Sequence, residues 1–390
     1  MWSNKEHINS LINCLLFLVA INFLHLGQLL LPIICLILFI DNKAKLKVNN
    51  LIVFIILCLF GISFFIFSYK LGFYSTMGLC LPMAYYIGSN IKKTDEDSIK
   101  KIIYIIGFGM ACHVALNFVA DFMIGGTSAI GSIKHYDIWT GDFVITTSTA
   151  TNCIMIVSLI YYLLVYENNK TNKILGIVLF LIVFIYDIAL GRRTPLFMIA
   201  ICLLISLIID KFIYKNDSNK KQLIIMSSII CGLILLVILI YVSNLFNLKN
   251  IIDNFGIVKK FKEYGLSSGR LDIFVQAIKL MPEHLWGGMQ IHNILGIQVH
   301  DLWMDTFDYA GIIPYLLLVA HTILFIITFI RIIKREQLSR DFKLLIIVLF
   351  ISIAIQMFLE PVMTGSSIFI ILVIIIEAVL EGKLYDNKEK

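Results

Sequence analysis

Charge is what this chain has least of. Lys, Arg, Asp and Glu make up 15% of its 390 residues, against about 25% in an ordinary soluble domain. Hydrophobic residues make up 59%, and the mean hydropathy is +0.91. A soluble protein of this composition has too little polar material to cover its surface. The composition therefore predicts an all-α, polytopic membrane protein. The net charge of +6 is spread over the segments between apolar runs, which excludes a nucleic-acid reader.

Other absences narrow the chemistry. The eight cysteines (Cys14, Cys35, Cys58, Cys80, Cys112, Cys153, Cys202 and Cys231) all sit inside apolar runs, with no CxxC and no Cys/His spacing. They read as small apolar side chains, and neither a disulfide framework nor a structural zinc is expected. No GxxxxGK[ST], HExxH, GxSxG or GxGxxG occurs. ATP hydrolysis, zinc proteolysis and serine hydrolysis thus have no local signature. No internal repeat is evident, so the inverted symmetry of many secondary transporters gets no support.

What the chain does have is a succession of apolar segments, near 11–25, 27–40, 51–69, 71–90, 102–124, 143–166, 174–190, 195–214, 222–243, 309–330, 343–359 and 366–381. These are about 12 spans of up to about 20 residues, in a single integral membrane domain over 1–390. Lys5 precedes an apolar stretch, but no small-residue cleavage site stands out. We read the beginning as two retained short spans; this pair and the pair around Tyr69–Leu71 could each form a single long or re-entrant element. Most Lys and Arg fall on one side of this topology: Lys43, Lys45 and Lys47 in one turn, Lys92, Lys93, Lys100 and Lys101 in the next, Arg331, Lys334, Arg335 and Arg340 in another. The positive-inside rule makes that side cytoplasmic, together with both termini. The outer side then carries a small loop at 125–142, a short connection at Arg192-Arg193 and a large loop subdomain at 244–308.

Scarce cations on the outer side define the candidate chemistry. Gly191-Arg192-Arg193-Thr194-Pro195 interrupts an apolar hairpin, with Pro195 expected as the first residue of the next helix. Two arginines beside a helix N-terminus suit a phosphate at the membrane surface. Alternatively their side chains snorkel to headgroups or pair with acids. Within the large loop, 257–264 is basic and amphipathic and reads as a helix on the membrane surface. Ser267-Ser268-Gly269-Arg270 then leads into a helix bearing Leu271, Phe274, Val275 and Ile278, ended by Pro282 and Gly287-Gly288. The loop closes with His300, Asp301, Asp305, Asp308 and Gly311. His300 serves either for proton handling or as a hydrogen-bonded interfacial residue. Arginine suits phosphate because its planar fork stays charged and binds oxygens in fixed geometry. Unaided, these residues fit a transferase, an anion transporter or a lipid receptor alike. Glu360 reads as a structural pair or a sugar contact, and Glu377 as an interfacial acid near the inner end of the last run.

These elements resemble the bacterial O-antigen ligase/polymerase superfamily, in particular polymerases of O-antigen and capsular polysaccharide. The resemblance rests on Arg193 opening a mid-chain span, with Arg192 where a small polar residue is usual. It continues with Ser268-Gly269-Arg270, Pro282 and Gly287-Gly288, and with His300 and the later Gly311. Asp301 departs from the usual asparagine. The match covers roughly 175–380 and implies a glycosyltransferase C-like fold in the bacterial cytoplasmic (inner) membrane. It also implies polymerisation of oligosaccharide repeat units carried on undecaprenyl pyrophosphate, without metal or nucleotide sugar. On that reading Arg193, Arg270 and His300 are catalytic, and Arg192, Asp301 and Asp305 bind substrate. A flippase and a chain-length regulator protein are the implied partners, besides membrane lipid. A glycan ligase shares the signature. A lipid-linked oligosaccharide flippase instead predicts a charged central cavity, which the sparse charges inside spans disfavour, and a non-enzymatic receptor is the remaining alternative.

Overall fold

The computed structural model of the protein describes residues 4–43, 45–70, 73–91, 95–126, 134–145, 147–213 and 270–385. The predicted span at 222–243, the basic stretch at 257–264 and Ser267-Ser268-Gly269 lie outside them. In chain order the helices are α1 (Asn4–Ala20), α2 (Gly27–Asp41), α3 (Leu51–Phe67), α4 (Phe73–Asn90), α5 (Glu96–Ala120), α6 (Thr147–Val165), α7 (Lys170–Leu190) and α8 (Arg193–Ile208). After the gap follow α9 (Arg270–Leu280), α10 (Gln290–Leu295), α11 (Leu302–Ala310), α12 (Ile312–Lys334), α13 (Arg340–Leu359), α14 (Val362–Gly365) and α15 (Ser367–Tyr385). The fold is all-helical apart from an antiparallel pair, β1 (Lys134–Tyr136) and β2 (Phe143–Ile145), with His135 opposite Val144.

Among the described residues, six segments are long and apolar enough to cross a membrane: Glu96–Gly125, Ser148–Val165, Lys170–Leu190, Thr194–Lys211, Ile312–Lys334 and Arg340–Leu359. Shorter apolar helices cover the first three predicted segments. The run from 11 to 40 is broken because Asn22, Leu24 and His25 adopt left-handed backbone, and Asn22 Nδ2 lies 3.1 Å from His25 Nδ1. The span expected from 143 begins at Thr147 instead, since Phe143–Ile145 satisfies its backbone by pairing with β1.

The chain forms two compact units. Unit 1 comprises 1–113, 269–339 and 353–390. At its centre is α15, whose residues are all buried from Ile368 to Glu381. A helix apolar on every face needs neighbours on every face, and α15 packs against α4 and α12, with α3 on α4 and on α12 in turn. By contrast, α12 exposes Leu316, Ile323, Ile327 and Ile330 along one side, a face suited to lipid rather than water.

Asparagines stitch the segment between α2 and α3 onto this centre. Asn42 donates to Asn90 (2.7 Å), Asn90 to the Lys47 carbonyl (2.8 Å), and Asn49 to the Ala378 carbonyl (2.6 Å). Asn50 caps α3 by accepting from the Ile52 N–H (3.1 Å).

Unit 2 comprises 114–268 and 340–352. Its centre is α6, buried at every residue from Thr149 to Leu163, with α7 and α8 packed on it. At one end Tyr161 donates to Asp210 (2.7 Å), Tyr166 donates to the same carboxylate, and Tyr162 donates to Asp341 (3.0 Å). Near the C-terminus of α7, Asp121 accepts from the Tyr186 hydroxyl (2.6 Å) and the Tyr136 N–H (2.6 Å). Asn117 accepts from the Ile138 N–H (3.0 Å), so the β-hairpin is tied to the end of α5.

Candidate functional site

The predicted residues divide between the units: Arg192 and Arg193 in unit 2, and Arg270, His300, Asp301 and Asp305 in unit 1. Each group is built on its own scaffold.

In unit 2 the chain leaves α7 through Gly191 at φ 72, a left-handed conformation that favours glycine. The turn closes as the Arg192 N–H donates to the Asp187 carbonyl (2.9 Å), which the Gly191 N–H also reaches. Arg192 is the N-cap of α8 with extended backbone, and Arg193 is its first residue. The helix thus starts two residues before the predicted Pro195. The shift is permitted because every N–H of a first turn lacks an intrahelical partner, so proline is tolerated throughout it. For Arg193 the structure describes the backbone, which places it at the positive end of α8.

Asp187 lies beside this corner and went unnoticed in the sequence. It sits on the last turn of α7 at 1% exposure and interacts electrostatically with Arg192. Its carboxylate interacts with the Cys153 thiol and with Arg192. Cys153 faces the same spot and donates its thiol to the Thr149 carbonyl (2.9 Å). Of the two readings for Arg192, pairing with an acid therefore has a concrete partner. The missed signal was the one acidic residue in the apolar run 174–190, because a carboxylate there is costly unless something nearby compensates it.

In unit 1, α9, α10 and α11 gather around a small core of their own. Ala277, Ile291, Val299, Met304 and Phe307 form its centre, with Phe274 and Tyr315 against them. Arg270 opens α9, as expected from its sequence context. Pro282 follows in a 3-10 turn over Met281–Glu283. The chain then reaches Gly287, at φ 71, and Gly288, at φ 79.

Gly287 and Gly311, the glycines of the second and third sequence elements, meet backbone to backbone. A Cβ on Gly287 would stand 2.5 Å from the Gly311 nitrogen, and one on Gly311 would stand 2.8 Å from the Leu285 carbonyl oxygen. Gly311 also has φ 84 and ψ −171, a region essentially restricted to glycine. The Ile312 N–H donates to the Leu285 carbonyl (2.8 Å), closing the contact.

His300 lies half-buried just ahead of α11. Asp301 is the N-cap of that helix, its Oδ1 accepting from the N–H groups of Trp303 (2.8 Å) and Met304 (2.8 Å). Burial pushes its carboxyl up to about 6, against the opposing pull of those two donors. Asp305 is buried and accepts from Gln298 Nε2 (2.6 Å). Asp308 accepts from the N–H groups of Ile291 (2.9 Å) and His292 (3.2 Å). Its carboxyl is raised by burial, partly offset by those donors and by the neighbouring His292 and His284. The acids after His300 therefore fix the turns that hold the histidine in place. Asp301 and Asp308 accept from backbone N–H groups and Asp305 from a side chain, and His292 and His284 are additional imidazoles on the same segment.

Among the described residues no group of three or more His, Cys, Asp and Glu is arranged to hold a metal ion. No protein-family model matches the chain, and no curated protein matches it.

Proposed function

We propose that the protein polymerises oligosaccharide repeat units linked to undecaprenyl pyrophosphate, building O-antigen or capsular polysaccharide at the outer face of the bacterial cytoplasmic membrane. The observation that carries this reading is the meeting of Gly287 with Gly311. Two sequence elements that are joined in the resemblance are thereby one structural object, with Arg270 at the head of α9 and His300 just ahead of α11, two helices that share a small core. The third element, Arg193 at the start of α8, supplies a cation at a helix N-terminus, apt for a pyrophosphate.

In the proposed reaction the hydroxyl at the non-reducing end of one unit attacks the anomeric carbon of the growing chain. The C–O bond to undecaprenyl pyrophosphate breaks, and the configuration inverts. Arg193 and Arg270 stabilise charge gathering on the departing pyrophosphate. His300 orients the attacking hydroxyl and takes its proton, or contacts the pyrophosphate. The topology that goes with this reading has about 12 spans, cytoplasmic termini and an outer loop over 244–308. Its partners are a flippase that delivers the lipid-linked unit and a chain-length regulator.

The test is a glycan ladder from cells carrying single alanine variants. Arg193→Ala, Arg270→Ala and His300→Ala should each leave a membrane-inserted protein and only single-repeat glycan. Long polymer from Arg270→Ala would sink the proposal. Full-length polymer left unattached to its acceptor would point to the ligase reading instead.

A further inference from the structure

Deep in unit 1 the central helix carries two acids one turn apart. Glu377 and Glu381 of α15 are 0% and 1% exposed. Their spacing puts both on one face. His321 on α12, itself 5% exposed, reaches Glu377 Oε2 through Nε2 at 2.9 Å. Glu381 is fully engaged: Thr328 on α12 donates to it (2.8 Å), Asn50 donates to it (3.3 Å), and Tyr85 on α4 donates to its other oxygen. Glu377 Oε1 is buried and has no partner among the described residues. Of the two ways to accommodate an acid in this run, pairing or a place near the interface, pairing has a concrete partner in His321, and α15 is surrounded by its own unit.

Charge accounting shows what the cluster lacks. Among the described residues, Glu381 on its own helix, Tyr85 from α4 and His321 from α12 interact with Glu377. With both carboxylates ionised, one imidazolium leaves a net negative charge in an apolar bundle, where uncompensated charge is strongly unfavourable. One open oxygen falls far short of the roughly six oxygen donors that a hard metal cation gathers. It is sufficient for a proton.

We propose that His321, Glu377 and Glu381 form a buried proton-binding site that takes up one proton at Glu377 Oε1. The proton comes from hydronium; an O–H bond forms on Glu377, and water is released. The cluster is then neutral overall, with imidazolium on His321, carboxylic acid on Glu377 and carboxylate on Glu381 held by its three donors. The site is independent of the proposed glycosyl transfer.

Infrared difference spectra of the full-length protein in lipid nanodiscs, taken between acidic and alkaline buffer, read the C=O stretch of protonated carboxyls. Wild type should show a component that vanishes on alkalinisation, shifts in heavy water and is the same in sodium and in choline buffer. It should be lost in Glu377→Gln, which mimics the protonated side chain in shape, and kept in Asp187→Asn. Glu381→Gln removes the like charge one turn away, so the same component should titrate about one pH unit or more lower. Persistence of the component in Glu377→Gln, an unmoved midpoint in Glu381→Gln, or dependence on sodium would each overturn the proposal. Should Glu377→Gln fail to fold, the Glu381→Gln midpoint decides alone.

Discussion

Burial to 3% exposure raises the Asp301 carboxyl to about 6, while the N–H groups of Met304 and Trp303 pull the other way. Its folded-state pKa thus lies above the unfolded one, and the native protein binds more protons between 3.8 and about 6. The contribution of this group to stability is fully present below that window and is lost as pH rises through it, at a cost of about 3 kcal/mol. In Asp301→Asn, which keeps a cap acceptor, the melting temperature in detergent should fall less steeply over that window than in wild type. Arg192 has a different obligation. Arg192→Ala strands the buried Asp187 and should lower stability by about 3 kcal/mol, read as a melting temperature. Arg193→Ala should abolish long polymer without a comparable loss. Equal loss of polymer and stability in both variants would merge roles that the two arginines are assigned separately.

At the scale of elements, glycine geometry decides where the chain turns. Gly311→Ala forces a side chain into backbone conformation open to glycine alone and against the Leu285 carbonyl. It should cost about 3 kcal/mol, conformational strain and overlap together. Gly288→Ala shares the positive φ but meets nothing nearer than 3.8 Å, so it should cost about 1 kcal/mol. Folded yield by size-exclusion chromatography and melting temperature would separate the two. The helical character of these elements was legible from apolar runs alone, and so was the head of α9 at Arg270. The partners were not. Nothing near Gly311 in the sequence names Gly287, and nothing near Asp187 names Arg192 as its partner. Likewise, Phe143–Ile145 is as apolar as the helix that follows it, so periodicity carried the predicted span past its true start. Nor does anything near Glu377 name His321: distance from a helix end says nothing about how many neighbours surround it.

On the scale of the whole molecule, the proposed sidedness can be checked at exposed positions. Single cysteines in place of Lys134 on the β-hairpin and Trp286 before Gly287, in a cysteine-free background, should label with a membrane-impermeant maleimide from outside intact cells. One in place of Lys45, between α2 and α3, should label after permeabilisation alone. Reversal of the pattern would invert the topology and remove the proposed site from the outer face. The two units also differ in how their centres arise along the chain. Unit 2 is centred on α6, made midway through the chain, whereas unit 1 is centred on α15, its last described helix, packed on α4 from early in the chain and on α12 from shortly before it. The hydrophobic surface of α4 that α15 covers is therefore made long before its cover, and that of α12 shortly before it. Unit 1 thus receives its central post last, and any chain cut short before Ser367 lacks the helix around which the unit packs.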